Sequence, residues 1–322
     1  MENAIEVRDL TKSYGEILAV DHISFDVKEG EIFGFLGPNG AGKTTTIRML
    51  TSLCRPTSGT ARVLGLDVAS EIVEVKKRIG VVPEVSNLYD ELSAFDNLLF
   101  ATQLYGIPRS QRGTRAEELL KTFGLFERKD HLFSTFSRGM KRALTIAAGL
   151  IHSPEILFLD EPTVGLDVVA ARHLRGLIGN LRKQQVTVFL TTHYLEEADL
   201  LCDRIAILVK GNMVKIGTPE MLKTVAEKEP ITEVSFKKMQ PQIVKGLSEK
   251  LPEFRVIAIG HNKVRIYGGS SAEVLEKVLE YAKGNDVLLE EVNSVKPSLE
   301  DAFIKITNLS PSVMATEKGG GR

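Results

Sequence analysis

The stretch GPNGAGKTT, Gly37–Thr45, has the spacing of a phosphate-binding loop. It follows the apolar run EIFGFL and precedes the apolar-patterned segment TTIRML, so a strand, a loop and a helix are predicted in succession. Glycines let backbone N–H groups turn towards phosphate oxygens, and the helix N-terminus adds its dipole. Lys43 is expected to reach the β- and γ-phosphates of a nucleotide, and Thr44 to ligate Mg²⁺. The predicted loop comprises Gly37, Pro38, Asn39, Gly40, Ala41, Gly42, Lys43, Thr44 and Thr45.

Three further polar residues stand at the ends of apolar runs. Asp160 and Glu161 end the run ILFLDE, and His193 ends VTVFLTTH. Because ligands of α/β sheets bind at the carboxyl ends of the strands, these side chains are expected beside the phosphate loop. Asp160 would hold Mg²⁺ or its water, Glu161 would take the proton of an attacking water, and His193 would contact the γ-phosphate.

The stretch FSRGMKRALTIAAGLIHSP, residues 136–154, predicts a helix with an unusual beginning. Ser137 is a good N-cap, and apolar residues recur at three- and four-residue steps. A helix N-terminus carries a partial positive charge and prefers acidic neighbours. The first turns here instead hold Arg138, Lys141 and Arg142 and no carboxylate. The pattern indicates that an anion from elsewhere binds at this end.

Residues 1–225 alternate between short apolar runs and amphipathic segments, which predicts an α/β domain with a parallel sheet covered on both faces. The expected buried strands are EIFGFLG, EILFLD, VTVFLTTH and RIAILV. The alternating segment AVDHISFDV predicts a half-exposed antiparallel strand. Residues 108–135 predict a helical insertion.

A second, smaller domain is predicted over residues 230–308. Its strand-like and helix-like segments follow the order β-α-β-β-α-β, which is that of a ferredoxin-like α+β sandwich. The remaining residues, 309–322, have little to bury and predict a disordered tail.

Composition narrows the possible classes of protein. The chain has 322 residues, 43% hydrophobic and 26% charged, as expected for about two globular domains. Its 41 basic and 42 acidic residues give a net charge of -1, which argues against a general nucleic-acid binder. No apolar run reaches the roughly eighteen residues of a membrane span. A membrane role is therefore expected to need a partner chain.

Five motifs in series resemble those of the ATP-binding subunits of ABC transporters. In chain order they are Gly37–Thr45, Phe136–Met140, Asp160-Glu161-Pro162, the GLD at 165–167 and His193, and the resemblance covers about residues 3–220. It implies ATP and Mg²⁺ as ligands. It also implies a P-loop NTPase fold, in which an antiparallel β subdomain and a helical subdomain at about 85–152 accompany the parallel sheet.

The resemblance also implies a head-to-tail dimer, either a homodimer or a heterodimer, around two ATP molecules. Phe136–Met140 is similar to the family's signature segment, which faces the ATP held by the other subunit. The expected anion is thus the partner's ATP, contacted by Ser137 and Gly139. Arg138 departs from the usual Leu-Ser-Gly-Gly-Gln, and two alternatives stay open. It adds a phosphate or phosphate-loop contact, or it points to solvent.

Three more roles follow from the resemblance alone. Tyr14 is expected to stack on adenine, and Asp167 to cross the dimer interface. Glu84 stands where the family usually has a glutamine that reaches Mg²⁺ and the attacking water. A carboxylate is a good Mg²⁺ ligand, so Glu84 is expected to bind the metal. Its negative charge near the triphosphate leaves a water-positioning role open.

The function that the resemblance implies is ATP hydrolysis coupled to export through a separate transmembrane permease, at the cytoplasmic face of the cell membrane. The segment 295–307, VKPSLEDAFIKIT, resembles the extra domain of a drug-resistance or multidrug group; a dimer-stabilising appendage is the alternative. Two other functions stay open. One is a soluble ATPase of the same superfamily that acts on ribosomes or DNA, although the chain has neither a second ATPase unit nor a long coiled coil. The other is a poorly hydrolysing regulator, which Glu84 and Arg138 favour.

Overall fold

The computed structural model describes residues 2–226, 230–238, 240–259, 262–309 and 314. The described chain forms two compact units, one up to Thr218 and one from Pro219. This division falls a few residues before the predicted domain limits of 225 and 230, which remain predictions. Among the described residues, no helix has the length and apolar character needed to cross a membrane.

The first unit contains ten strands and seven α-helices within its described residues. The strands are β1 (Asn3–Tyr14), β2 (Ile17–Lys28), β3 (Ile32–Leu36), β4 (Ser58–Val63), β5 (Leu66–Asp67), β6 (Ile79–Val82), β7 (Ile156–Asp160), β8 (Thr187–Thr192), β9 (Arg204–Val209) and β10 (Asn212–Gly217). The helices are α1 (Lys43–Leu50), α2 (Ile72–Arg78), α3 (Ala94–Leu104), α4 (Arg109–Thr122), α5 (Arg138–Gly149), α6 (Val168–Leu181) and α7 (Leu195–Leu201).

These strands form two sheets, which confirms the predicted fold class of the first unit. One sheet has the order β10-β9-β3-β8-β7-β6 and is parallel except for the hairpin strand β10. The other has the order β2-β1-β4-β5 and is antiparallel. Helices α3, α4 and α5 lie in the region predicted as helical. The carboxyl ends of β3, β7 and β8 meet at one edge, because these strands are parallel neighbours.

A cluster of phenylalanines joins the two sheets. Phe25 of β2 stacks on Phe33 of β3 with ring centroids 5.6 Å apart and lies 5.1 Å from Phe35. Phe35 in turn lies 5.1 Å from Phe189 of β8. All four rings are buried, and aromatic pairs at these distances contribute beyond their buried area. The cluster fixes the strands whose ends carry the candidate site.

The second unit has the topology expected of a ferredoxin-like sandwich. Its elements are α8 (Pro219–Lys223), β11 (Ile231–Phe236), α9 (Pro241–Lys250), β12 (Arg255–Ile259), β13 (Lys263–Tyr267), α10 (Ser271–Gly284), β14 (Leu289–Val295) and α11 (Leu299–Thr307). The sheet order is β12-β13-β11-β14, and every pair is antiparallel. The short helix α8 has no counterpart in the sequence prediction.

A buried polar network orders α11 within this unit. Ser298 and Asp301 form a capping box at its N-terminus. Asp301 also accepts hydrogen bonds from Arg265 at 2.9 and 3.0 Å and from the Tyr267 hydroxyl at 2.6 Å. Of the predicted disordered tail, only residues 309 and 314 are described, and the side chain of Met314 is buried. The rest of that prediction lies outside the described residues.

Candidate nucleotide-binding site

The predicted phosphate loop lies between β3 and α1. Gly42 has a φ of +101°, and a Cβ atom there would lie 2.5 Å from the carbonyl oxygen of Ala19. Conformation and space therefore both require glycine at this position. Lys43, Thr44 and Thr45 form the beginning of α1, whose first turn has no acidic residue. The free N–H groups and the dipole of this helix end can thus serve an anion.

Lys43 is buried and bonded to the loop that precedes it. Its Nζ atom donates hydrogen bonds to the carbonyl oxygens of Gly37 at 2.6 Å and of Pro38 at 3.2 Å. It also lies 3.1 Å from Glu161 Oε1, and both side chains of this ion pair are less than 10% exposed. A buried charge needs a partner of opposite charge. Glu161 is that partner for Lys43, and a bound phosphate could take its place.

The end of β7 offers oxygen ligands for a metal. Asp160 Oδ1 accepts hydrogen bonds from Thr191 Oγ1 at 2.5 Å and from Thr44 Oγ1 at 3.2 Å. Carboxylate and hydroxyl oxygens are the ligands that Mg²⁺ prefers, so Thr44 and Asp160 fit this ion. In the described parts of the chain, no group of three or more His, Cys, Asp or Glu side chains could hold a metal. A magnesium site here would therefore also draw on nucleotide or water oxygens.

Glu161 sits on a strained turn directly after β7. Its φ is +46°, a conformation that costs a non-glycine residue about 1–3 kcal/mol and is concentrated at functional sites. Its backbone N–H donates to Thr191 Oγ1 at 3.1 Å, and its Oε2 atom lies 2.9 Å from His193 Nδ1. Because a carboxylate only accepts, Nδ1 carries the hydrogen of this bond.

The surroundings of Glu161 keep it ionised. Burial would raise the pKa of Glu161, but the hydrogen bond from His193 and the charge of Lys43 outweigh burial and hold the pKa below its ordinary value. The group is therefore a carboxylate at neutral pH and can accept a proton. The structure thus brings together Lys43, Thr44, Asp160, Glu161 and His193, as the sequence predicted.

Four other predicted site residues lie where α5 and α6 begin side by side: Ser137, Arg138, Gly139 and Asp167. Ser137 caps α5 and accepts a hydrogen bond from the Met140 N–H at 3.3 Å. Asp167 caps α6 and accepts from the Ala170 N–H at 2.8 Å. A Cβ atom on Gly139 would lie 2.8 Å from Ala170 Cβ, so glycine allows the two helix ends to approach closely.

Two of the basic residues at the start of α5 have partners within the chain, so these two do not by themselves require an external anion, and the predicted anion at this helix end stays a prediction. Lys141 pairs with Asp90 at 2.7 Å, and Arg142 is buried among carbonyl oxygens of its own chain. Arg138 is exposed, and its Nη1 atom lies 3.5 Å from the Gly165 carbonyl oxygen. A phosphate contact of Arg138 stays a prediction.

Tyr14 and Glu84 are the remaining predicted site residues. Tyr14 ends β1 and is 45% exposed, with Lys12 Nζ 4.9 Å from its ring centroid. Partial burial and Cys54 raise the pKa of Tyr14, while the charge of Arg48 and the nearby Thr45 hydroxyl oppose the shift. Glu84 is half-buried beyond β6, and its carbonyl oxygen accepts a hydrogen bond from Arg142 Nη1 at 3.2 Å. The predicted adenine and Mg²⁺ contacts of the two residues stay predictions.

Comparison with known proteins shows the family of this chain. The family described as ABC transporter matches residues 20–164. The linearmycin resistance ATP-binding protein LnrL of Bacillus subtilis (strain 168) is 36% identical over 312 residues, which cover 94% of this chain and 98% of LnrL. The chain belongs to the ATP-binding subunits of ABC transporters.

Two further similarities agree with the assignment of this chain to the ABC transporter subunits. The daunorubicin/doxorubicin resistance ATP-binding protein DrrA of Streptomyces peucetius is 44% identical over 221 residues, 69% of this chain and 67% of DrrA. A dimeric, post-hydrolysis structure of the ATP-binding cassette MJ0796 with ADP and Pi has a TM-score of 0.61 and 27% identity, covering 66% of this chain and 98% of that one. The ABC subunit described here binds ATP and is an ATPase.

Arg142 is a residue of this ABC subunit that the sequence analysis did not place in the site. Its Nε atom donates to the Pro162 carbonyl oxygen at 3.0 Å and its Nη2 atom to that of Asp160 at 2.6 Å. Nη1 donates to the carbonyl oxygens of Pro83 and Glu84. The available signal was an arginine immediately before the apolar stretch ALTIAAG, since arginine is rarely buried unless it is paired.

Proposed function

We propose that this chain is the ATP-hydrolysing subunit of a drug or antibiotic exporter. In this proposal two such subunits, identical or different, close around two ATP molecules and act through a separate permease at the cytoplasmic face of the membrane. One observation carries it: the buried Lys43–Glu161 pair stands beside Thr44 and Asp160 at the edge of the sheet. The resistance functions in the names of LnrL and DrrA support the choice of cargo class.

Binding of ATP would begin with an exchange of partners at Lys43. The ammonium group now bonds to the carbonyl oxygens of Gly37 and Pro38 and to the Glu161 carboxylate. The β- and γ-phosphates offer it stronger, charged acceptors. Movement of Lys43 towards them would free one side of Glu161 for a water molecule. The base would thus become accessible only when nucleotide is present.

Thr44, Asp160 and Glu84 would hold Mg²⁺ in this site. Bound Mg²⁺ would neutralise charge on the phosphates. Asp160 is kept in place by the Thr191 hydroxyl, which donates to the same oxygen as Thr44 does. Tyr14 would stack on the adenine ring from the end of β1.

Glu161 would act as the general base of hydrolysis. Its carboxylate takes a proton from the water that attacks the γ-phosphorus, the bond to the β-phosphate oxygen breaks, and ADP and phosphate form. His193 orients this carboxylate through Nδ1 and can meet the γ-phosphate with the opposite side of its ring. The hydrogen bond from His193 and the charge of Lys43 hold the pKa of Glu161 below its ordinary value, so the carboxylate is ready to accept a proton.

The ends of α5 and α6 would complete the site of the partner subunit. Ser137 and the N–H groups near Gly139 would receive the partner's γ-phosphate, with Arg138 beside them and Asp167 across the interface. Val168 and Val169 follow Asp167 and are 73% and 79% exposed. Exposed apolar side chains next to two helix N-termini fit a surface that another subunit covers.

Replacing Glu161 by Gln tests the catalytic proposal. Glu161→Gln keeps the shape of the side chain but cannot take the proton, so turnover should fall by about 10²–10⁴-fold while ATP binding persists. Sedimentation with ATP should show an accumulated dimer. Glu155→Gln is the matched control, because Glu155 precedes the same strand and pairs with Arg78 away from the site. Turnover of Glu161→Gln at the wild-type rate would refute the assignment of the base.

Co-purification tests the transport proposal. The full chain, expressed together with a membrane protein of about six apolar spans encoded beside it, should purify as a complex from detergent-solubilised membranes. Recovery with ribosomes instead would favour the soluble alternative. Absence of turnover in the wild-type protein, alone and with that membrane protein, would favour the poorly hydrolysing regulator.

A further inference from the structure

Glu161 occupies a turn that needs support. Its φ of +46° is unfavourable for a residue with a side chain. The backbone N–H of Glu161 is held by Thr191, at 3.1 Å from the hydroxyl and 3.2 Å from the carbonyl oxygen. These contacts fix the beginning of the turn. The carbonyl groups on either side of Glu161 need partners of their own, because they are buried with it.

Arg142 of α5 supplies both of those partners. Nη2 donates to the carbonyl oxygen of Asp160 at 2.6 Å, and Nε donates to that of Pro162 at 3.0 Å. One planar guanidinium group therefore spans the residues before and after Glu161. A guanidinium can do this because its donors are fixed in a fork, whereas an ammonium group presents a single point of charge.

The same guanidinium reaches the segment that carries Glu84. Nη1 donates to the carbonyl oxygens of Pro83 and Glu84, the latter at 3.2 Å. Burial lowers the pKa of Arg142 to about 10, against the charges of Asp160, Glu197, Glu84 and Glu161, so the group stays protonated at neutral pH. These four hydrogen bonds of Arg142 all go to backbone carbonyl oxygens.

We propose that Arg142 is a positioning residue for hydrolysis, which clamps the turn of Glu161 and ties it to the Glu84 segment and to α5. The inference rests on the proposed role of Glu161 as general base. In this role Arg142 contacts neither substrate nor water and acts by holding the backbone from which the base projects. Displacement of a reacting group by about 1 Å can cost on the order of 10²-fold in rate, so loss of the clamp should lower kcat and leave ATP affinity nearly intact.

The test compares two arginines whose hydrogen bonds to backbone carbonyl oxygens lie near opposite ends of α5. Arg142→Met removes the clamp at the N-terminal end. Arg115→Met is the control, because Arg115 donates to the carbonyl oxygens of Ile151 at 3.0 Å and Leu150 at 2.9 Å, beyond the C-terminal end. Arg142→Met should lower kcat by about 10–100-fold with KM for ATP within about twofold. Arg115→Met should keep kcat within about twofold, and Arg142→Lys should fall between wild type and Arg142→Met.

A combination with Glu161→Gln separates this inference from the proposed function. If Arg142 acts through Glu161, Arg142→Met should cost little further turnover in the Glu161→Gln background. An equal loss in both backgrounds, or an unchanged kcat of Arg142→Met, would overturn the positioning role. Wild-type turnover of Glu161→Gln alone would instead overturn the assignment of the base.

Hydrogen exchange supplies a readout that does not depend on turnover. In the nucleotide-free full chain, Arg142→Met should speed amide exchange at residues 160–163 and 83–85, whereas Arg115→Met should speed it at 150–153. Unchanged exchange at 160–163 would contradict the clamp. If Arg142→Met fails to fold by circular dichroism, Arg142→Lys and Arg142→Gln are measured in the same way, and the same outcomes decide.

Discussion

The two parts of the candidate nucleotide site are built in opposite ways. In the part formed by the phosphate loop and the end of β7, Lys43, Asp160 and Glu161 are buried, and each has a partner in the same chain. In the part formed by the beginnings of α5 and α6, Ser137, Arg138 and Asp167 are exposed. The difference suggests that the first part is complete within one chain, while the second is finished by another molecule.

The same difference has energetic consequences. Buried charges interact strongly but must remain paired, so the first part can change only by exchanging one partner for another. Exposed groups are screened by water and salt and contribute little until a partner excludes the solvent. Substitutions in the first part should therefore act within a single subunit, and substitutions in the second should act only when two subunits meet.

Lys43→Ala should have the largest effect on the buried part. It removes the cation proposed to bind the β- and γ-phosphates, so ATP binding should weaken and turnover should be lost. Nucleotide titration by fluorescence and a phosphate-release assay measure the two effects. Lys77→Ala is the control, because Lys77 forms a surface pair with Glu74. Normal ATP affinity and turnover of Lys43→Ala would contradict the proposal that the buried part of the site binds the phosphates.

Ser137→Arg should abolish dimerisation and hydrolysis but spare binding to the monomer. The added bulk would occupy the place proposed for the partner's phosphate, while the contacts proposed for Lys43 and Tyr14 in the same chain would still hold ATP. Analytical ultracentrifugation with a slowly hydrolysed analogue measures assembly, and a phosphate assay measures turnover. Ser110→Arg, at an exposed position of α4, is the matched control.

Mixing sharpens this second prediction. Ser137→Arg and Lys43→Ala subunits together should form at most one composite site, from an intact phosphate loop and an intact signature segment. An ATP-dependent dimer of Ser137→Arg with full turnover would mean that the beginning of α5 does not face a partner's nucleotide. The exposed part of the site would then lack the role proposed for it.

Local patterns sufficed to predict the buried part because its residues are marked by short motifs. The phosphate loop and the strand ends with Asp160, Glu161 and His193 are each recognisable within about nine residues, and the parallel sheet brings them together. The contacts of Arg142 and Lys141 were missed for the opposite reason. Lys141 pairs with Asp90, 51 residues away, and Arg142 reaches Pro83 across 59 residues. Pairing at such separations leaves no local signal.

Glu84 should show an intermediate effect, because it borders the buried part. If its carboxylate helps to hold Mg²⁺, Glu84→Ala should require more Mg²⁺ for half-maximal turnover. Glu84→Gln should stay active, since glutamine is the usual residue of the resembled family. Turnover is measured across a Mg²⁺ titration, with Glu91→Ala, an exposed residue of the same region, as control. An alanine variant that matches wild type throughout would remove Glu84 from the metal site.

Glu197 allows the smallest and most specific test of the rule that buried charges must be paired. It lies on α7 and is 1% exposed, and neither carboxyl oxygen makes a hydrogen bond within the described residues. Burial raises the pKa of Glu197; the nearby Thr192 and Thr163 hydroxyls oppose the shift only in part, and the charge of Glu161 adds to it. Relative to the unfolded chain, the folded state therefore shifts Glu197 towards its protonated form.

This preference should make the effect of Glu197→Gln on stability depend on pH. A raised folded-state pKa stabilises the fold fully below the pKa of the unfolded chain, and that stabilisation is lost as pH rises through the folded-state pKa. Glutamine is neutral throughout, so Tm of Glu197→Gln minus Tm of wild type should become more positive from pH 4.5 towards neutral pH. A gain on the order of 1 kcal/mol would raise Tm by about 2–4 °C. Glu196→Gln, at an exposed neighbour paired with Arg175, is the matched control. A difference in Tm between Glu197→Gln and wild type that does not change with pH would mean that the buried carboxyl group is ionised and paired in solution. The rule that buried charges are paired would then hold for Glu197 too.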